Sequence, residues 1–140
     1  MSIRVVRLGA PRAADEGLRI GTVRRPPRGV RREDYATRDF FDVWLPELAP
    51  SAPLVSYAFA EPWNLGRWAE YDKRYRSEMS KPAAQRLVRM LAALSHQTNF
   101  SVGCYCENAN YCHRAILKDI LEAAGADMRA TTPGNDEERR

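Results

Sequence analysis

Apolar residues cluster in short β-branched runs at two places near the start of the chain, Ile3 to Leu8 and Leu18 to Val23, and both patterns predict strands. Gly9 to Gly17 forms the loop between them. Leu54 to Phe59, an apolar run bounded by Pro53 and Pro62, reads as a further strand. Phe40 to Leu45 is amphipathic but short and ends at Pro46, which leaves room for a helical turn or a strand. The spacing then changes. Trp68, Tyr71, Tyr75 and Met79 recur at steps of three and four, predicting a helix opened by Pro62 that turns an aromatic stripe to the core. Such a stripe is ordinary packing and is assigned no chemistry. Leu87, Val88, Leu91 and Leu94 mark a second helix that starts at Ser80 to Pro82 and fades near His96. Phe100, Val102, Cys104 and Cys106 share one face of a strand. Ala115, Ile116, Leu117, Ile120 and Leu121 form a last helix that Gly125 terminates. A brief edge strand is expected at residues 127–130, and residues 131–140 read as a disordered tail.

A helix, a strand and a helix in succession predict a parallel crossover. The expected fold is therefore α/β, a single compact domain over residues 1–130, three-layered around a mostly parallel central sheet. Ligands of such sheets gather beyond the carboxyl ends of the strands.

That position coincides with the densest chemistry in the chain. Cys104 to Arg114 holds all three cysteines, one of the two histidines and an arginine. Asn110 is the expected N-cap, which would place Cys112 and His113 in a first helical turn whose free N–H groups and dipole favour negative charge and a thiolate. Cys104, mid-strand, reads as core; Cys106 at the strand end and Cys112 at the helix start are the better reactive candidates. Catalysis, if any, would use Cys106 or Cys112 as nucleophile or redox thiol, His113 as proton carrier and Arg114 as anion clamp.

Other readings compete. A phosphatase loop needs cysteine, five residues, then arginine; counting from Cys106 reaches Cys112, so that pattern fails. Cys106 and Cys112 could close a reversible disulfide, but there is no Cys-x-x-Cys pair. No cofactor is predicted, with zinc or iron kept open. The alternative is zinc or iron held by Cys104, Cys106 and Cys112, against which stands the spacing: helical neighbours such as Cys112 and His113 point about 100° apart.

With 140 residues, 44% hydrophobic and 29% charged, the chain suits one globular domain. No apolar stretch has membrane-spanning length and the first residues lack a signal-like apolar core, so no membrane partner and a cytoplasmic location are expected. Three cysteines cannot all pair, which favours reduced thiols. The net charge of +4 is concentrated at one end: residues 1–32 carry nine arginines against Asp15 and Glu16. Arginine favours bidentate pairing with oxyanions, so a small anionic ligand or substrate is the expected partner. Nucleic acid is a less favoured one, because no aromatic interleaving or binding motif accompanies the basic residues.

The runs Gly17 to Val30, Trp44 to Ser51 and Trp68 to Met79 resemble the YeaO-like family of bacterial proteins, part of a larger group of domains of unknown function. The similarity covers about residues 3–125 and implies a compact α/β domain without an established reaction. The wider group often has a cysteine after its last core strand and Cys-His-Arg at the next helix start. Cys104 or Cys106, with Cys112, His113 and Arg114, match that arrangement. The chain departs at Arg25-Pro26, where many relatives have an apolar residue and tryptophan. Arg24 and Arg28 match further positions of the group's pattern. The expectation from this likeness is that their loop folds over the cysteines as an anion-binding wall.

Overall fold

The computed structural model describes residues 1–129; the expected tail at 131–140 lies outside the described residues. Four strands, β1 (Ile3–Arg7), β2 (Leu18–Gly21), β3 (Val43–Trp44) and β4 (Phe100–Cys104), form one sheet in the order β1-β4-β2-β3. Every pairing is parallel, with Val102 opposite both Val5 and Ile20. The helices are α1 (Ala52–Ala60), α2 (Leu65–Met79), α3 (Pro82–Leu94) and α4 (His113–Ala123). Met128 bridges Ile3 in parallel, where the edge strand was expected. The fold is α/β, as the pattern predicts.

Alternation along the strands decides what covers each face. Ile3, Ile20, Phe100 and Val102 form the main core with Tyr75 and Met79 of α2, Val88 and Leu91 of α3, and Leu117 and Leu121 of α4. Burying one such side chain contributes about 1.5–3 kcal/mol. The opposite parity places Arg19, Gly21, Ser101 and Gly103 on the other face. There the covering layer is made of the loops that carry Ala10, Glu16, Asp39 and Phe41. Phe41 lies against Gly21, where an added Cβ would fall 2.4 Å from the Phe41 ring.

A buried ion pair anchors that loop layer. The Arg19 guanidinium donates to both Glu16 oxygens at 2.7 and 2.9 Å and to the carbonyls of Ala10 and Asp39, each at 2.7 Å. Ser101 Oγ donates to Glu16 at 2.6 Å. Full hydrogen bonding is what makes a buried pair tolerable, since removing either partner strands a charge.

The segment 54–59 is a helix, not a strand. Its run is short and apolar, and such runs do not distinguish helix from strand by period. Ser51 caps α1 by accepting from Leu54 N, and Pro53 occupies the first turn, where a missing N–H costs nothing. Pro62 does not open α2 either: Asn64 caps it by accepting from Arg67 N at 2.8 Å. Tyr71, Tyr75 and Met79 are buried as the stripe predicts, with Trp68 half-buried. Lys81, rather than Ser80, precedes α3. β4 stops at Cys104, so Tyr105 and Cys106 lie beyond the sheet.

Burial on its own would raise the Glu16 pKa, but hydrogen bonds from Arg19 and Ser101 more than offset it and hold the carboxyl below its ordinary value. A depressed carboxylate stabilises the fold above its unfolded pKa, and that contribution is lost as pH falls through the folded value. Urea denaturation should show Glu16→Ala losing about 3–5 kcal/mol at pH 7. Glu16→Gln should lose less stability on acidification than wild type; parallel acid profiles would contradict the assignment.

Candidate functional site: a three-thiol cavity

After Cys104 the chain leaves the sheet and makes a 3₁₀ turn (Ala109–Tyr111), capped by Asn108, whose side chain accepts from Asn110 N at 2.9 Å. Asn110 is therefore not the cap of α4. Cys112 takes that position with extended backbone, φ −147° and ψ 145°. An extended N-cap residue directs its side chain away from the helical surface, so the 100° separation expected of Cys112 and His113 does not apply. The sulfurs of Cys104, Cys106 and Cys112 lie within 4.8 Å of one another. Cys104 and Cys112 are buried and Cys106 half-buried, and all three are free thiols. Cys104 belongs to a core cluster, as its mid-strand place suggests, and to the sulfur cluster as well.

The adjacent residues are held by main-chain groups. His113 Nε2 lies 2.6 Å from the Thr22 carbonyl. A carbonyl only accepts, so Nε2 carries the proton and Nδ1 presents a lone pair, 3.8 Å from Cys112 Sγ. Burial pushes the His113 pKa down to about 4, so the ring is neutral at physiological pH. Arg114, 1% exposed, donates from one terminal nitrogen to the Val6 carbonyl at 3.0 Å. Its other terminal nitrogen is buried with no hydrogen-bond partner among the described residues. Neither Glu107 nor Glu122 pairs with it; they meet Arg7 and Lys118.

The sulfurs share charge unequally. Hydrogen bonds from the Cys104 and Cys112 thiols, aided by the positive field of Arg114, hold the Cys106 pKa well below the usual thiol value. Burial pushes the thiols of Cys104 and Cys112 up. Of the three, the most accessible sulfur is thus the one favoured to ionise.

This cluster lies in a cavity of about 660 Å³. Arg24, Arg25 and Arg28 line it too, so the arginine loop and the cysteines face the same space. Arg24, however, donates to the carbonyls of Pro46, Ala49 and Pro50 at 3.0–3.3 Å and braces the entry to α1. Arg25 and Arg28 are exposed, without an ion pair among the described residues. Trp63, Tyr71 and Tyr111 give the wall an aromatic part, beside aliphatic residues of α1 and the polar Glu107 and Asn108. Trp63 stacks on Tyr111 with centroids 6.1 Å apart and meets Tyr71 edge-on at 5.3 Å. Burial raises the Tyr71 pKa, keeping its hydroxyl protonated beside the cluster. Sequence reasoning missed this wall. Tyr71 has the helical spacing of a core residue, and only the position of Tyr111 beside Cys112 hinted at it.

Because the neutral His113 is favoured by folding, its contribution to stability is present above its unfolded pKa and declines as pH falls toward about 4. Nitrogen NMR should find the Nε2–H tautomer throughout pH 5–8; a ring protonating near the ordinary imidazole pKa of about 6.5 would contradict this placement.

No solved structure matches the chain. Uncharacterised proteins of Mycobacterium bovis and Mycobacterium tuberculosis are each 27% identical to it over 119 residues, which is 85% of this chain and 92% of theirs. The family whose model matches residues 3–125 is described as the active DUF488-N3 subclade. The YeaO-like resemblance falls within the same family. On a match spanning nearly the whole described fold, the chain belongs to the DUF488 family.

Proposed function

We propose that the protein is a thiol-dependent enzyme acting on a small anionic substrate, with Cys106 as nucleophile. The observation that carries this reading is the sulfur cluster itself: three sulfurs within 4.8 Å, the most accessible one open to a cavity lined by arginines. A thiolate is the reactive form, and two thiol donors with a buried guanidinium stabilise it at neutral pH. His113 Nδ1 can accept the Cys112 proton and so pass it to or from the cluster, while Nε2 keeps the ring oriented. The buried Arg114 guanidinium, whose positive field reaches the sulfurs, would stabilise negative charge developing there. The description of the matching family as active accords with a reactive cluster rather than with core packing alone. Thiols of this kind suit the reducing cytoplasm.

A second reading is a zinc or iron site. The three sulfurs could hold a metal with small shifts, since zinc–sulfur bonds of about 2.3 Å place thiolates somewhat under 4 Å apart and leave a fourth position open. Nucleic acid is favoured less. Among the first 32 residues Arg4, Arg12 and Arg19 pair with Asp15, Asp42 and Glu16, and Arg24 is held by carbonyls. The basic surplus therefore is not one free surface. No helix among the described residues is long and apolar enough to cross a membrane.

Iodoacetamide labelling from pH 5 to 9, located by mass spectrometry after chelator treatment, should modify Cys106 below pH 7, and Cys106→Ser should abolish that early phase. A Cys106 that titrates as an ordinary thiol would remove the catalytic reading. Stoichiometric zinc or iron in untreated protein, lost in Cys106→Ser, would establish the metal site in its place.

A further inference from the structure

The cavity has two unlike ends. At the floor Cys104, Cys112 and His113 are at most 5% exposed. At the mouth Arg25 and Arg28 are exposed, on a loop stiffened by Pro26 and Pro27, and around Gly29 nothing lies within 4 Å of an added Cβ. The two cations, without an ion pair among the described residues, thus line the solvent-facing part of a cavity whose sulfurs are largely buried. Trp63, Tyr111 and Phe59 line the same cavity, the last 81% exposed and covered by no other part of the described chain. A volume of about 660 Å³ is far larger than a bare oxyanion needs and suits an organic ligand of moderate size.

We infer that the substrate is a flat, ring-bearing oxyanion held by its two ends. Its anionic group meets Arg25 and Arg28 at the mouth, its ring lies against Trp63, Tyr111 and Phe59, and its reacting centre meets Cys106 at the floor. The oxyanion is a handle, remote from the bond that changes. This inference rests on the reading of Cys106 as a nucleophile and adds the class of molecule it attacks. An aromatic ring gains from stacking, and guanidinium groups bind carboxylate or phosphate through paired N–H donors.

Aromatic disulfides are suitable probes. The Cys106 thiolate attacks one sulfur of the probe, the probe's S–S bond breaks, a mixed disulfide forms at Cys106 and an aryl thiolate leaves with the electron pair. Three probes distinguish the contributions: 5,5′-dithiobis(2-nitrobenzoate), aromatic and anionic; 2,2′-dithiodipyridine, aromatic and neutral; and cystamine, aliphatic and cationic. Each rate is divided by that probe's rate with N-acetylcysteine amide, and the site is confirmed by mass spectrometry. The anionic aromatic probe should lead the neutral one by about tenfold at low salt, the lower end of what a cationic cleft contributes. The lead should shrink with added salt. Arg25→Ala with Arg28→Ala should remove it by slowing the anionic probe far more than the neutral one, and Phe59→Ser should slow both aromatic probes more than cystamine. These residues are exposed, so the variants should fold as wild type does. Phenylacetate and phenyl phosphate should both protect Cys106, the better protector identifying the oxyanion. Equal normalised rates for the three probes, all above unity, would overturn the substrate class and leave the nucleophile standing. Rates at or below unity for all three would overturn both.

Discussion

A strand buried on both faces and paired on both edges leaves its neighbours almost no freedom, and β4 is such a strand. All five of its residues are buried between β1 and β2. At Gly103 the approach is so close that an added Cβ would lie 2.6 Å from the Val6 carbonyl. Thr22, just past β2, returns to the same point: its N–H and its hydroxyl both donate to the Gly103 carbonyl at 3.0 Å. Thr22 in turn offers its own carbonyl to His113. The position of α4, and with it the Cys112 cap, follows from the close packing of β4 through this succession of main-chain contacts.

Two arginines are the largest fully buried side chains, and they differ in what surrounds them. Arg19 has a carboxylate and two carbonyls, so its donors and charge are matched within the fold. Arg114 has one carbonyl and an unmatched N–H. A buried polar group without a partner costs on the order of 1–3 kcal/mol, more when charged. The first arginine secures the loop layer against the sheet. The second contributes a buried positive field to the sulfurs.

Period and parity made much of the fold legible. α2, α3 and α4 each carry a full apolar stripe, and the parity of β4 assigns Phe100 and Val102 to the helical side. α1 was not legible, because an apolar run beside a proline looks the same as strand or helix until Ser51 is seen to cap it. The cysteine cluster was legible by density alone, but its geometry was not. Asn110 is the better capping residue by chemistry, yet the 3₁₀ turn moves the helix start to Cys112, which has no capping side chain bond. The role of Arg24 was equally hidden, since nothing local shows that residues 46–50 will turn their carbonyls toward it.

The buried charge near the sulfurs is also limited. Arg114 adds a positive field there, and His113, its pKa pushed down by burial, is neutral at physiological pH. A second negative charge among the three sulfurs would meet little compensation, and burial already pushes Cys104 and Cys112 toward their protonated forms. Loss of a proton from one of these sulfurs and the arrival of an anion beside it are therefore antagonistic.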